Sequence, residues 1–261
     1  FVSDLLAGAS VRIEGAAPWL DQADLPQDQQ AHLAIHVGSA ARVPAANELL
    51  IYPKTVSVTC KPGAQLAERV RAALHGAGIA VQSLACLLAS DTQMAEASLH
   101  DAALELAVPL RFTRVSQDAD IVVNIAEQPL DLSQVGRVRG RLAVIGLGPG
   151  AAELMVPAVK AELARCTDVL GYETYVRMAG PFRDDQVQHC TDNREEMQRA
   201  RHAFELAAQG RSVVVVSSGD PGVFAMASAV IEALHESSDP AWHQVDLEIL
   251  PGVSASLATA A

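Results

Sequence analysis

Apolar and polar positions change rhythm repeatedly along this chain. Short continuous apolar runs, suited to strands buried on both faces, alternate with stretches whose apolar residues recur at the spacing of one helix face. Lys54–Thr59 reads as a strand, Lys61-Pro62-Gly63 as a turn, and Gln65–His75 as an amphipathic helix closed by Gly76 and Gly78. Val81–Leu88 is a second strand region, Ala97–Ala107 a helix halted before Pro109, and Leu110–Thr113 a third strand. A more regular series begins with the strand Leu142–Ile145. It continues with a helix over Pro157–Arg165, whose first position tolerates a residue without an N–H, and a strand at Val169–Gly171. The helix Glu195–Gln209, the strand Ser212–Val216, the helix Val223–His235 and the strand Val245–Leu250 follow. This alternation predicts an α/β fold: a small three-layer α/β domain followed by an α/β domain with a mainly parallel sheet.

The flanks are weaker. Phe1–Leu6 reads as the end of a helix, Ser10–Ile13, Leu33–Val37 and Glu48–Tyr52 as strands, and Pro18–Gln30 as a polar loop. Residues 1–50 are expected to be a domain remnant with too little apolar sequence for a core of its own. Gln117–Gly140 is polar and carries Pro129, so it reads as a linker, with Asp120–Ile125 as a strand that the linker allows. The expected division is 1–50, 51–116, a linker over 117–140, and 141–261.

Composition narrows the function. The 261 residues suit one to two domains at ~100–200 residues each. Half are hydrophobic, which excludes a disordered chain. Nineteen basic against 31 acidic residues give a net charge of −12, which argues against nonspecific binding to nucleic acid or anionic membranes. No stretch reaches the ~18–20 apolar residues of a membrane span, and no basic n-region opens the chain, so a cytoplasmic location is expected. The start at Phe1 and the stop within Ser256–Ala261 suggest a piece of a longer chain. Cys60, Cys86, Cys166 and Cys190 form no C-x-x-C pair and read as free thiols. His32 and His36 have i, i+4 spacing but lie in a strand-like run without a third ligand, and no metal is assigned.

The chemistry gathers in three turns. In a parallel sheet, Gly146-Leu-Gly148-Pro149-Gly150, Ser218-Gly219-Asp220-Pro221-Gly222 and Pro251-Gly252-Val253-Ser254 would all leave at the carboxyl edge, where open α/β sheets bind ligands. One such turn is ordinary loop punctuation. Three at successive strand ends predict a site of backbone amides and carbonyls, with Asp220 as its fixed carboxylate or as a turn cap. Gly146–Ala151 also fits G-x-G-x-x-G/A, and Glu173 stands where a ribose-binding acid would. However, Pro149 lacks an N–H for a pyrophosphate, and the helix begins well after the glycines, so an NAD(P) oxidoreductase is the weaker reading.

Four blocks carry a family resemblance. Val144-Ile-Gly-Leu-Gly-Pro-Gly150, Asp168-Val-Leu-Gly-Tyr-Glu-Thr-Tyr175, Val215-Val-Ser-Ser-Gly-Asp-Pro-Gly222 and Leu250-Pro-Gly-Val-Ser-Ala255 resemble the tetrapyrrole methylases of corrin biosynthesis. Among these, the chain is most similar to the precorrin-3B carbon-17 methyltransferases, and residues 141–261 correspond to the amino-terminal half of such a domain. The resemblance implies S-adenosylmethionine in a cleft between two α/β domains. It places Gly148, Pro149, Ser218, Gly219, Asp220, Val223, Ser254 and Ala255 at the cofactor, and Glu173 as the candidate acid or base. It also implies a precorrin substrate and a homodimer through the methylase domain. The substrate's carboxylates need a local basic patch, for which Arg177 and Arg183 are the candidates; Arg194, Arg199 and Arg201 read as the solvated face of the following helix. Tyr52-Pro-Lys, Thr59-Cys-Lys-Pro-Gly63, Leu88-Ala-Ser-Asp91 and Val108-Pro-Leu-Arg-Phe112 resemble the carboxy-terminal domain of the cobalamin-biosynthesis protein G family. That resemblance would make the chain a fusion. Thr59 replaces the usual glycine and Gln93 stands near a common lysine, so the hydrolytic activity known in that family is not expected. A second reading is a non-catalytic cofactor- or tetrapyrrole-binding, tethering module.

Overall fold

A computed structural model describes residues 1–15, 17–20, 23–114, 118–192, 194–223 and 225–258, with the backbone alone at Ala255. The chain divides into two compact units, Phe1–Asp91 with Glu96–Gly136, and Thr92–Ala95 with Arg137–Ala261.

The first unit opens with α1 (Val2–Leu6) and a parallel sheet of β1 (Val11–Glu14), β2 (Leu33–Val37) and β3 (Glu48–Ile51) in that order. Contrary to expectation, residues 1–50 bury a small core. Val11, Leu33, Ile35 and Val37 pack with Ala17 and Leu20, and Phe1, Leu5 and Ile13 lean on them. The loop residues Ala17 and Leu20 supply the apolar surface that strand periodicity leaves uncounted.

A four-stranded sheet follows, built from β4 (Val56–Cys60), β5 (Leu84–Ser90), β6 (Leu110–Thr113) and β7 (Ile121–Ile125), with α2 (Leu66–Gly76) and α3 (Ala97–Glu105) between strands. Its order is β6-β5-β4-β7. The first three strands are parallel, and β7 runs antiparallel to β4 with Ile121 opposite Cys60. The expected linker is therefore partly sheet. The β-branched run Ile121-Val122-Val123 pairs with an otherwise open strand edge. Its far end is also tied down: Arg111 donates to the carbonyls of Val135 (2.8 Å) and Gly136 (3.0 Å), so the unit closes at Gly136. Burial pushes the thiols of Cys60 and Cys166 up to about 11, which keeps them protonated.

The second unit is a five-stranded parallel sheet with helices on both faces. Its elements are β8 (Arg141–Gly146), α4 (Pro157–Arg165), β9 (Asp168–Tyr172), α5 (Glu173–Ala179), β10 (Val187–Thr191), α6 (Glu196–Ala208), β11 (Ser212–Ser217), α7 (Met226–Glu236), β12 (Asp246–Leu250) and α8 (Ala255–Ala258). The strand order is β10-β9-β11-β8-β12. Side chains of a strand alternate between faces, and here both faces are apolar. Leu142, Val144, Val213 and Val215 join α6 and α7 around Phe204, while Ala143, Ile145, Val214 and Val216 join α4 and α5 around Val159 and Val176. Hence β8 and β11 read as unbroken apolar runs. The neighbours β8 and β11 feed helices on opposite faces, α4 and α7, so their carboxyl ends form the switch point at which such sheets hold ligands. Among the described residues, no helix is long and apolar enough to cross a membrane.

Candidate functional site

Register brings the three glycine turns together. Ser217 pairs with Gly146 and Leu250 with Ile145, so β11, β8 and β12 end level and their turns leave side by side. The first two are then joined by backbone. Gly148 N–H donates to the Gly219 carbonyl (3.2 Å), Gly219 N–H returns to Gly148 (2.9 Å), and Leu147 N–H reaches Ser217 (2.9 Å). Gly148 and Gly219 hold φ of +76° and +61°, a region that glycine enters without a Cβ penalty. The third turn is tied in by Asp220, whose Oδ1 accepts from Gly222 N–H at 2.8 Å and whose Oδ2 accepts from Gly252 N–H at 3.2 Å.

Asp220 therefore caps its own turn and clamps the neighbouring one. Both oxygens are engaged by amides, and its carboxylate anchors the wall more than it offers a free charge. Replacing it with asparagine keeps one acceptor and turns an amide N–H toward the other donor. A charge-assisted hydrogen bond of about 1.5–3 kcal/mol is lost in part. We expect Asp220→Asn to lower the melting temperature of the second unit by about 3–6 °C and to weaken S-adenosylhomocysteine binding about tenfold, or about 1.4 kcal/mol, because the third turn is no longer held in register; circular dichroism and isothermal titration read the two effects.

Pro149 and Ser218 are half-buried on this edge, Gly219 is buried, and Val223 is exposed with its N–H on the Asp220 carbonyl (3.2 Å). Ser254 Oγ lies 2.8 Å from Ser256 Oγ, and Ala255 opens α8, its side chain outside the described residues. α7 begins at Met226 and not at Val223, because the Asp220 turn consumes residues 220–223 and Ala225 is extended. Beside Gly150 opens a cavity of about 410 Å³, lined by Leu147, Met155, Met178 and Phe182 and by the polar residues Lys160, Arg183 and Gln186.

Glu173 is the first residue of α5, at the carboxyl end of β9 one strand beyond β11. It is exposed and paired one helical turn away with Arg177, so the candidate acid or base and one candidate substrate arginine neutralise each other. Arg183 contributes to the lining of the cavity beside Gly150. It precedes β10, pairs with Asp185 (2.9 Å) and donates to the carbonyls of Ala164 and Cys166, contacts that hold its guanidinium in place. Arg199 is a correction, since it is buried and not on a solvated face. It donates to Thr191 Oγ1 (2.8 Å), the Asp192 carbonyl (2.7 Å) and Met226 Sδ (3.1 Å). Burial lowers its pKa below the ordinary arginine value, countered by Glu196 and Glu195. It thus ties the end of β10 to the first residue of α7, just behind the Asp220 turn. Its only sequence signal is its place among Ala200, Ala203 and Phe204 on the buried stripe of α6. No cluster of three or more potential metal ligands occurs among the described residues.

Residues 141–261 match the family model described as Tetrapyrrole (Corrin/Porphyrin) Methylases. The chain is 46% identical over 122 residues to a Precorrin-3B C(17)-methyltransferase of Sinorhizobium sp, an alignment covering 47% of this chain and 47% of that protein. It is 47% identical over 121 residues to the Cobalamin biosynthesis protein CobIJ of Mycobacterium tuberculosis, covering 46% of this chain and 23% of that protein. A solved structure of the methyltransferase CobJ is 54% identical, with a TM-score of 0.44 and coverage of 46% of this chain and 49% of that one. The chain thus spans about half the length of the Sinorhizobium relative and about a quarter of the mycobacterial one.

Proposed function

We propose that the methylase segment supplies one half of an S-adenosylmethionine-dependent C-methyltransferase of cobalamin biosynthesis, acting on precorrin-3B at carbon 17 with ring contraction to precorrin-4. The observation that carries this reading is the mutual locking of the turns at Gly148, Gly219 and Gly252 into one wall at the switch point of the sheet. The similarity to the Sinorhizobium enzyme supports the substrate. A nucleoside suits such a wall: adenine and ribose are neutral and are read by backbone amides and carbonyls, and the absence of a Cβ at Gly148 and Gly219 lets them approach. Gly148, Pro149, Ser218 and Gly219 would form the floor, Val223 and Ser254 its sides, and Asp220 would hold the turns in register.

When bound, the cofactor supplies an electrophilic methyl group on a sulfonium. The chain's part is to orient and to exclude water. Aligning two bound reactants is worth on the order of 7–11 kcal/mol, and the electron-rich macrocycle needs no enzyme nucleophile. Glu173 would be the group on this edge to move a proton on the macrocycle, and its contact with Arg177 would orient it until substrate carboxylates draw the arginine away. A precorrin as partner, a homodimer through the methylase segment, a cytoplasmic setting and kinship of residues 51–116 with the protein G family belong to the same reading.

Calorimetric titration tests it. S-adenosylhomocysteine should bind and NAD should not, with weaker affinity here than in the Sinorhizobium relative measured in parallel, because the remaining half of that protein would supply the other side of the cleft. Binding of NAD alone would overturn the proposal in favour of a dehydrogenase. Binding of neither would favour a tethering role, and equal tight affinity in both proteins would refute the need for a second half.

A further inference from the structure

Another cavity lies in the first unit, at the carboxyl edge of the sheet β1-β2-β3. It measures about 250 Å³ and is lined by Glu14, His36, Arg42 and Tyr52 and by the backbone of Gly15 and Gly38. The edge is pinned: Gly15 has φ +107°, and a Cβ there would overlap the Val37 carbonyl. His36 stands on the central strand directly across from Glu14 and is buried, with 7% exposure.

The contacts of this histidine are mutually exclusive. Nε2 lies 3.1 Å from Glu48 Oε1. Nδ1 lies 2.8 Å from Glu14 Oε2 and also 2.9 Å from Arg42 Nη1. A neutral Nδ1 accepts from the guanidinium, whereas a protonated Nδ1 donates to the carboxylate, and it cannot do both. The charged groups facing the imidazole are therefore Glu14 from β1, Glu48 from β3 and Arg42 from the β2–β3 connection, with Arg12 behind Glu14. Both carboxylates are already satisfied. The Arg12 guanidinium holds Glu14 below the usual carboxylate range, and the Ala45 amide followed by His36 does the same for Glu48. Arg42 is different. Among the described residues no carboxylate lies within ion-pair distance of it, although it attracts Glu14 and Glu48 from further off, and it is one of the residues lining the cavity. A planar guanidinium resting on a neutral nitrogen is poorly matched there and is matched well by a planar oxyanion.

We propose that this cavity binds the carboxylate of a small organic acid through Arg42, and that binding brings uptake of one proton at His36 Nδ1. The exchange balances: the guanidinium moves from the Nδ1 lone pair to the incoming anion, Nδ1 takes a proton from solvent, and the new N–H donates to Glu14. All residues of this site belong to the first unit, and the proposal is independent of the proposed methyl transfer.

The test is an NMR titration of the isotope-labelled chain with succinate and, separately, inorganic phosphate, following the Arg42 side-chain N–H and the His36 ring at pH 6 and pH 8. Succinate should move both sets of resonances together, with an apparent Kd at least fivefold lower at pH 6. Arg42→Gln should abolish the shifts with the fold retained by circular dichroism, and His36→Gln should keep binding but flatten its pH dependence. Tighter binding of phosphate than of succinate, equal Kd at both pH values, or no shift with either probe would each refute the assignment.

Discussion

Gly252→Ala is expected to lower the melting temperature of the second unit by roughly 10 °C and to abolish measurable S-adenosylhomocysteine binding. The added Cβ would overlap the Gly219 carbonyl oxygen and lie 2.7 Å from the Gly146 carbonyl oxygen. All of its neighbours there are backbone, so no rotamer change can relieve the crowding. Gly146 carries the reciprocal constraint, with Pro221 Cδ at 2.7 Å and Gly252 Cα at 2.9 Å from its missing Cβ. Overpacking of this kind costs about 3 kcal/mol, which the turns meet by separating. A separation of even 1 Å breaks the Asp220–Gly252 hydrogen bond and the level wall that the ligand requires. The drop of roughly 10 °C follows from that cost for a unit of this size. Gly76→Ala is the internal control: the glycine closes α2, nothing lies within 4 Å of its missing Cβ, and alanine there should be neutral or stabilise by up to about 1 kcal/mol. Thermal unfolding by circular dichroism and calorimetric titration give the two readouts. A Gly252→Ala protein that melts within 2 °C of the parent and binds ligand normally would show that the three turns do not act as one body.

Legibility in the sequence followed the number of buried faces. β8 and β11 are enclosed by helices on both sides, and their apolar runs mark them within a residue of the observed Arg141–Gly146 and Ser212–Ser217. α4 coincides with the predicted Pro157–Arg165 because proline sets its start. β10 escaped because it is an edge strand whose residues Gln188, His189 and Cys190 carry no alternating apolar face, and α5 escaped because only Val176 and Ala179 of its seven residues are buried. The turns of the site were readable because glycine at φ > 0 and at close backbone contact has no substitute. The arginines were not, because charge at the sequence level says nothing of partners. Arg183 is held by the carbonyls of Ala164 and Cys166, Arg177 pairs with Glu173, and Arg199 sits buried on the stripe it was expected to oppose. His36 carried no signal beyond its strand, since Glu14, Arg42 and Glu48 reach it only through the register of β1 and β3 and the loop before β3.

Asp168→Asn should destabilise the second unit by about 2–3 kcal/mol at pH 7 and leave ligand binding intact in the folded fraction. Asp168 is fully buried at the amino end of β9, opposite the turns, and its two oxygens accept from Thr167 Oγ1 (2.7 Å), His189 Nε2 (2.9 Å) and Arg211 Nε (2.6 Å). Asparagine presents an amide N–H to one or more of these donors. The cost stays below the ~3–5 kcal/mol of breaking a fully buried ion pair, because Arg211 is 38% exposed and water can solvate it. Burial alone would push the Asp168 carboxyl up, but the hydrogen bonds from Thr167, His189 and Arg211 outweigh it and hold the pKa below its ordinary value. A carboxyl depressed in the folded state stabilises above its unfolded pKa of about 3.9, and that stabilisation is lost as the pH falls through the folded pKa. The difference between parent and variant should therefore be constant from neutral pH down to about 5 and shrink as the pH is taken below about 4. Urea unfolding at stepped pH measures it. A gap that persists unchanged into acid would mean that the aspartate acts by packing alone, and a gap under about 0.5 kcal/mol at pH 7 would mean that its three donors find water as readily as they find the carboxylate.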